Sequence, residues 1–255
     1  MKILKFKKYS SDKYKVYLEN GNEIILYEDI ILKNNLLFTK EIDDELKDKL
    51  MSQNNYMDSL TKAISYISVR MRSKREVEDY LNKHEINKKD VNKIIKKLEK
   101  DGYINDSSFA TSYVNDQLLL TNYGPYKIKN NLIKLGVPTD IINDNINKID
   151  KDIVKERINK IVAKQLKIKK GSSNMVKIKL LNYINNLGYD KADILNCLSS
   201  FKVETDKATL EKEYNKLYNK YSKKYDKEKL YYFIIQKLYS KGYTKEDIVS
   251  LKKYN

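Results

Sequence analysis

The residues that could carry nucleophilic or acid–base chemistry are few. The 255-residue chain has one histidine, His84, and one cysteine, Cys197. A Ser-His-Asp or Cys-His system would need His84 as its base, but His84 lies where a helix is predicted to end, which favours a helix-terminal role. The neighbouring carboxylates Asp43 and Asp44 lie on a helix that is predicted to be solvated. We therefore expect a protein that is not an enzyme.

Motifs for cofactors, metals and membranes are also missing from the sequence. No GxxxxGK[ST], GxGxxG or GxSxG string occurs, and one histidine with one cysteine cannot supply a zinc cluster. No stretch approaches the roughly 18 apolar residues of a membrane span, and the N-terminus lacks the apolar run of a secretory signal. We expect a cytoplasmic monomer that uses no metal or cofactor and no membrane.

The charge of the chain points to a polyanionic partner. The formal net charge is +16, yet residues 1–60 carry −1 and the whole basic excess follows residue 60. Such a field supplies salt-sensitive affinity for nucleic acid that does not depend on base sequence. A nucleic acid is therefore the expected partner of this part of the chain, with single- or double-stranded DNA among the candidates.

Arginine is rare in this lysine-rich sequence and is clustered. Only four of 51 basic residues are arginine, and three of them fall in the string Arg70–Arg75. A planar guanidinium suits bidentate contacts to carboxylate or phosphate. The alternative is pairing within the chain, with Glu76, Glu78 or Asp79 as the partner.

A second basic segment is predicted to be a helix over 151–170, with an apolar stripe of Ile153, Ile158, Ile161, Val162 and Leu166 and a lysine-rich face. A solvated face, a nucleic-acid contact, a membrane surface and a groove-binding helix remain open for it. Together the two basic segments give the candidate residues for binding a partner or nucleic acid: Arg70, Arg72, Lys74, Arg75, Arg157, Lys164, Lys167, Lys169 and Lys170.

The elements that must position these residues begin with a small β-rich module over 1–55. Alternating patterns predict strands over 2–8, 14–18 and 23–27, and Asn20-Gly21 predicts a two-residue type I′ turn. A short helix over 29–36 and a helix over 40–51, capped by Thr39, are expected to follow.

Beyond residue 56 the hydrophobic period becomes helical and repeats. Predicted helix stops at His84, Gly136, Gly188 and Gly242 are 52, 52 and 54 residues apart, and glycine at such stops fits a left-handed C-terminal cap. Ser73, Asp106, Thr139 and Thr244 are expected to cap helices, and Pro125 to begin one.

The sequence thus predicts a mainly α fold of tandem three-helix repeats in an elongated curved array, with the small N-terminal β-rich module. The predicted repeats span 56–104, 105–149, 150–203 and 204–255. Each repeat is predicted to contain three helices, which lie over 59–71, 74–83 and 88–100, over 107–120, 125–135 and 139–149, over 151–170, 174–187 and 191–201, and over 207–223, 227–241 and 245–253. Four residues before each predicted stop, an equivalent core position is expected at Tyr80, Leu132, Ile184 and Leu238. The second repeat carries no net charge, and its segment 118–124 is either an apolar partner contact or the end of a buried helix.

One long string resembles a known family. It runs Ala63-Ile64-Ser65-Tyr66, then from Arg70-Met71-Arg72-Ser73-Lys74-Arg75-Glu76-Val77-Glu78-Asp79-Tyr80-Leu81 to Leu98-Glu99-Lys100-Asp101-Gly102-Tyr103-Ile104-Asn105-Asp106-Ser107-Ser108-Phe109-Ala110-Thr111-Ser112-Tyr113-Val114, with Gly124 and 132–142 beyond. It is similar to the RecX family of regulators of the RecA recombinase, over about residues 60–150 and more loosely to the C-terminus. His84 departs from that pattern, in which glycine is usual.

The resemblance implies a non-enzymatic protein that lies in the groove of the RecA–DNA filament and modulates it, commonly by inhibiting strand exchange and ATP hydrolysis in recombination and DNA repair. It also places Arg70, Arg72 and Arg75 near acidic RecA side chains or DNA phosphate. The rival hypothesis is a basic helical-repeat DNA- or RNA-binding protein, or a helix-turn-helix regulator, that acts without RecA.

Overall fold

A computed structural model describes residues 1–251. Its first elements are the strands β1 (Ile3–Lys8), β2 (Lys13–Leu18) and β3 (Glu23–Tyr27), which form an antiparallel sheet in the order β1-β2-β3. The alternation of apolar and polar residues follows the strand period of two, and Val16, Leu18, Ile24 and Leu26 are buried on one face.

The turn between β2 and β3 differs from the expected type I′ turn. Tyr17 pairs with Glu23 and the Leu18 amide donates to the Asn22 carbonyl, so residues 19–22 form a longer loop. Gly21 alone in this loop has a positive φ, of 82°, whereas type I′ needs two such residues. The Asn20 side chain instead accepts a hydrogen bond from the Asn22 amide.

Three helices follow: α1 (Glu28–Lys33), α2 (Leu36–Thr39) and α3 (Asp44–Ser68). The expected cap at Thr39 is wrong, because Thr39 lies in α2 and Asp43 caps α3 through the amide of Leu46. The sequence also predicted two helices where α3 is continuous. No glycine or proline interrupts this stretch, and the buried amide oxygen of Asn54 accepts from the Tyr27 amide, so a polar residue in mid-helix ties α3 to the sheet.

Helices α3 to α14 form four successive triplets, which confirms the mainly helical repeat fold. The remaining bounds are α4 (Lys74–Lys83), α5 (Lys88–Lys100), α6 (Asp106–Leu120), α7 (Pro125–Lys134), α8 (Thr139–Asn147), α9 (Lys151–Leu166), α10 (Ser173–Asn186), α11 (Lys191–Ser199), α12 (Lys207–Tyr221), α13 (Lys227–Ser240) and α14 (Lys245–Val249). The predicted last helix extended to Lys253, and Lys252 and Lys253 lie outside the described residues.

Each triplet buries its own apolar side chains. In the first, Leu60, Leu81, Ile94 and Leu98 belong to one cluster, with the N-terminal sheet forming a separate core around Val16 and Leu26. The third triplet centres on residues such as Leu180 and the fully buried Tyr189, and the fourth on Ile234 and Leu238. The predicted apolar stripe of α9 is confirmed at Ile158, Ile161 and Val162, with Leu166 packed against the same core. Only its first residue differs, since Val154 is buried and Ile153 is exposed.

By contacts the chain divides into two compact units. One comprises Met1–Phe109 together with Leu135–Val137, and the other comprises Ala110–Lys134 together with Pro138–Asn255. Within the part of the chain that the structure describes, no helix combines the length and apolar character needed to cross a membrane.

The helix stops show that the repeat register differs by one residue in the first triplet. Gly136, Gly188 and Gly242 have φ values of 76°, 90° and 82°, as a left-handed cap requires, and the matching residue is Glu85, with φ 58°. His84 is the C-cap before it, and the Ile86 amide returns to the Leu81 carbonyl as the Tyr243 amide returns to Leu238. The departure from glycine is therefore at Glu85, and Leu81, not Tyr80, matches Leu132.

The capping predictions were half right. Ser73 and Thr244 each form a complete capping box, and Pro125 begins α7. Asp106 does not cap α6, because Asn105 accepts the Ser108 amide instead. Thr139 does not cap α8, whose N-cap is Pro138 without a side-chain hydrogen bond.

Candidate partner-binding surfaces

The start of α4 is organised by Glu76. Its carboxylate accepts from the Ser73 amide at 3.1 Å, which closes the capping box, and pairs with Arg70 at 2.6 Å and Arg72 at 3.4 Å. Arg75 also pairs within the chain, with Asp79 at 3.8 Å, so all three clustered arginines make the alternative contact foreseen from the sequence, and the pairs of Arg70 and Arg72 are the shorter two. Of the two, Arg70 keeps half of its side chain exposed, 52%, whereas Arg72 keeps 14%.

Arg72 is one member of a stack of rings. Its guanidinium lies 4.0 Å from the ring centre of Tyr66, Tyr66 stacks on Tyr80 at 4.2 Å with the planes 6° apart, and Tyr80 contacts the ring of His84 at 4.4 Å. Cation–π and ring-stacking contacts of this kind favour a packed, oriented side chain. Arg72, which was predicted to contact a partner, is therefore packed and oriented by contacts within the chain.

Lys74 and Arg75 lie beside this stack and remain accessible. Lys74 pairs with Glu99 at 2.9 Å, and this hydrogen bond raises the pKa of its amine above the usual 10.5. Its backbone amide donates to Asp106 at 2.8 Å. Arg75 makes only a long pair with Asp79, 3.8 Å, and its side chain is 61% exposed, so its guanidinium can turn toward a partner.

Successive repeats are connected by an equivalent hydrogen-bonded contact, a joint, which occurs three times in the described chain. The Ser73 hydroxyl donates to the Leu135 carbonyl at 2.6 Å, the Gly124 amide to the Leu187 carbonyl at 2.7 Å, and the Ser172 hydroxyl to the Lys241 carbonyl at 2.8 Å. Each joint brings the N-terminal end of one repeat's second helix to the turn after the second helix of the next repeat.

Glycine makes the close approach at these joints possible. A β-carbon on Gly136 would lie 2.3 Å from the Arg75 side chain, and one on Gly188 would lie 2.3 Å from the Lys127 backbone nitrogen. Since real β-carbons do not come so close to other atoms, these glycines are required for contact between repeats as well as for their left-handed backbone.

Arg157, which was also predicted to contact a partner, binds acceptors within the chain. Its guanidinium donates to the carbonyls of Leu118, Thr121 (2.7 Å) and Tyr123 (3.2 Å), and its Nε donates to the Tyr189 hydroxyl at 3.1 Å. Burial raises the pKa of Tyr189, and the neighbouring guanidinium partly offsets that rise. The guanidinium therefore binds the end of α6, the loop after it and Tyr189, and all of its nitrogen atoms have partners within the chain.

The predicted binding lysines near the end of α9 differ in their contacts within the chain. Helix α9 ends at Leu166, so Lys169 and Lys170 lie in the following loop and not on the helix. Lys170 pairs with Asp206 at 3.2 Å, and the Lys169 amine lies 5.4 Å from the Tyr183 ring. Lys164 and Lys167 are exposed and form no ion pair within residues 1–251.

Three polar side chains beside these lysines were missed by the sequence reasoning. Asn122, Gln165 and Tyr183 join Lys160 and Lys164 around a cavity of about 140 Å³. They come from three separate segments of the chain, and no local pattern could have indicated that they meet. The cavity adds hydrogen-bonding groups and an aromatic ring next to the ammonium group of Lys164, which is unpaired within the described chain, whereas Lys160 pairs with Glu156.

The segment 118–124 is exposed at some residues and in contact with the rest of the chain at others. Leu119 and Leu120 are 81% and 75% exposed, whereas the Leu118 carbonyl binds Arg157 and Gly124 contacts Gly188. The exposed pair leaves an apolar spot on the repeat that has no net charge.

Comparison with known proteins supplies the context for these surfaces. The family model described as "RecX, first three-helix domain" matches residues 60–98. The chain is 30% identical to the regulatory protein RecX of Bacillus mycoides (strain KBAB4) and 31% identical to that of Bacillus cereus (strain 03BB102), in both cases over 96% of this chain and 94% of the relative.

Two solved structures share the fold. A crystal structure of regulatory protein RecX superposes with a TM-score of 0.66 at 19% identity, covering 76% of this chain and 98% of that one. The crystal structure of RecX from Lactobacillus salivarius superposes with a TM-score of 0.55 at 25% identity, covering 58% and 96%. With relatives of 30% identity along almost its whole length, this chain belongs to the RecX family.

Proposed function

We propose that this protein binds the RecA recombinase on its DNA filament in the cytoplasm and lowers strand exchange and ATP hydrolysis. The observation that carries the proposal is the similarity along 96% of the chain to proteins named regulatory protein RecX. The repeated joints support it, because a series of similar modules suits a partner that itself repeats.

The proposed contacts divide between two kinds of surface. Arg70, Lys74 and Arg75 would meet acidic RecA side chains or phosphate, and the exposed Leu119 and Leu120 on the uncharged repeat would meet protein. The lysines at the end of α9 would meet DNA phosphate: Lys164, Lys167, Lys169 and Lys170. Several moderate contacts on one chain sum to tight binding when all can form together.

Cosedimentation with RecA–DNA filaments tests this proposal. Filaments are formed on single-stranded DNA with a non-hydrolysable ATP analogue, and binding of the full chain is compared with binding to the same DNA without RecA. We expect the filament to bind more tightly at physiological salt. The variants R70Q/R75Q and K164Q/K167Q should each weaken filament binding, whereas the control K33Q/K49Q, which removes two exposed charges from other helices, should not.

The rival, a DNA- or RNA-binding protein that acts alone, rests on the free lysines Lys164 and Lys167. It predicts equal binding with and without RecA and a steep fall of affinity for bare DNA with salt. That result would contradict the proposal.

A further inference from the structure

The outer face of the N-terminal sheet is a second basic surface, which the net charge of the module conceals. Residues 1–18 carry a net charge of +5 and residues 19–60 carry −6. Strands β1 and β2 contain five lysines and no acidic residue. The fold thus separates the charges of a nearly neutral module, with lysines on the sheet and carboxylates on its helices and turns.

The strand register assigns four of these five lysines to one face, whereas Lys8 stands opposite Tyr14 on the other. Val16 and Leu18 point into the core, and since side chains alternate along a strand, Lys13, Lys15 and Tyr17 point the other way. Lys5 stands opposite Tyr17, and Lys7 stands opposite Lys15. On the other side of β2, Tyr17 faces Glu23 and Lys15 faces Ile25. This set, Lys5, Lys7, Lys13, Lys15, Tyr17, Glu23 and Ile25, is the outer sheet face.

Internal ion pairs account for only half of the lysines on the outer sheet face. Lys13 binds Asp58 at 2.6 Å and Lys15 binds Glu23 at 2.6 Å. Lys5 and Lys7 are exposed and form no ion pair within the described chain. The fold does not need their charges, and it sets Lys7 directly across from Lys15, where like charges repel.

Glu23 already offsets part of this repulsion by pairing with Lys15, and an anion beside Lys7 would offset the rest. Tyr17 lies beside these two lysines, with the Lys5 amine 4.7 Å and the Lys15 amine 5.9 Å from its ring centre, so an aromatic surface adjoins the ammonium groups. Aromatic rings interleaved with lysines are the combination that holds single-stranded nucleic acid through its backbone and bases.

The size of the face fits one strand of nucleic acid. Three strands about 4.8 Å apart and five to six residues long give a face roughly 10 Å wide and 17–20 Å long. We propose that the outer sheet face binds the phosphate backbone of single-stranded DNA, with Lys5 and Lys7 as its principal contacts. This inference deepens the proposed function, on which it rests, by giving the N-terminal module a DNA contact of its own.

Fluorescence anisotropy with a labelled oligo(dT) and no RecA present tests the sheet separately from the recombinase. The full-length variant K5Q/K7Q is compared with K33Q/K49Q, which loses the same charge from exposed helical positions of the same module. Each phosphate contact on single-stranded DNA contributes about 0.7 to the slope of log affinity against log salt. We expect K5Q/K7Q to lower that slope by about 1.4, with weaker binding, and the control to keep it.

Equal slopes and affinities for the two variants would overturn the proposal. So would a K5Q/K7Q variant that binds oligo(dT) normally but loses binding to RecA filaments, because the face would then recognise protein. Thermal unfolding of both variants checks that each remains folded. Failure of RecA binding by the unmodified chain would contradict the proposed function and leave the oligo(dT) comparison readable.

Discussion

The four arginines have two different fates. Arg70 and Arg75 keep their guanidinium groups at the surface, whereas Arg72 and Arg157 direct theirs to internal partners. The sequence located all four, and it offered Glu76 and Asp79 as possible partners because both lie within one or two turns. It could not indicate the acceptors of Arg157, which lie 34 to 39 residues earlier in the chain.

A substitution at Arg157 tests its structural role. Lysine keeps the positive charge but cannot reach all of the carbonyls that the guanidinium binds, so Arg157→Lys leaves buried acceptors unpaired. We expect the free energy of unfolding to fall by about 2–4 kcal/mol, measured by urea denaturation. The same replacement at the exposed Arg75 should change it by less than about 0.5 kcal/mol. Equal effects would show that Arg157 is not a structural residue.

Asp58 makes the free energy of unfolding depend on pH, because its pKa differs between the folded and the unfolded chain. Burial alone would raise the pKa of its carboxyl, but hydrogen bonds from Lys13 and Tyr27 and the charge of Lys13 outweigh burial, so the pKa lies below the ordinary 3.8. A lowered folded-state pKa gives stability that is present above the unfolded-state pKa and is lost as pH falls through the folded one.

The stability difference between the wild-type chain and Asp58→Asn should therefore be largest near neutral pH and shrink below about pH 4. Chemical denaturation at a series of pH values measures it. The control is Asp48→Asn, at an exposed residue of the same helix, and this variant should show no comparable trend. A difference between wild type and D58N that stays constant with pH would contradict the hydrogen-bonded, ionised carboxylate.

At the scale of elements, local signals were sufficient where the decisive contacts are local. Strand β3 and helices α4 and α5 begin and end at the residues that the sequence predicts, because their hydrophobic periods and caps lie within a few residues. The continuity of α3 was not predicted, because the contact that decides it is not local. Its polar middle reads as a break, but Asn54 is held by the distant Tyr27 amide.

The register of the first repeat shows the same limit. In three repeats the left-handed residue after the second helix is a glycine, which the sequence shows directly. In the first repeat Glu85 takes that backbone conformation, and no glycine indicates it. The hydrogen bond from the Ile86 amide to Leu81 fixes the alignment. The sequence thus indicates that a helix ends near His84, but only the structure identifies Glu85 as the left-handed residue that follows it.

Gly102 and Gly188 both have left-handed backbone, but only Gly188 lies in a joint. Comparing their substitutions therefore separates the cost of left-handed strain from the cost of disturbing the joint. Gly102 has φ 78° with nothing within 4 Å of a β-carbon, whereas a β-carbon on Gly188, with φ 90°, would meet the Lys127 backbone at 2.3 Å. Gly102→Ala should cost about 1–2 kcal/mol from left-handed strain alone. Gly188→Ala should cost about 1–3 kcal/mol more, because the joint must move apart. Urea midpoints compare them, and equal losses would mean that the joint tolerates a side chain.

At the scale of the whole molecule, the net charge of each segment predicted only some of the basic surfaces. The excess after residue 60 pointed correctly to lysines that are exposed, such as Lys164 and Lys167. The same count made the first 60 residues look neutral. It does not show that β1 and β2 carry lysines and no acidic residue, while most carboxylates of the module lie on its helices and turns. Strand pairing brings residues together that a running count keeps apart.

The central claim is that this chain regulates RecA, and the ATPase activity of RecA on single-stranded DNA tests it most directly. The full chain is titrated into the reaction at fixed salt, with K33Q/K49Q in parallel and with R70Q/R75Q/K164Q/K167Q as the variant altered at both proposed contacts. We predict that the rate falls as the chain is added, that the control lowers it equally, and that the quadruple variant needs a higher concentration. A rate that stays constant at every concentration would contradict the account.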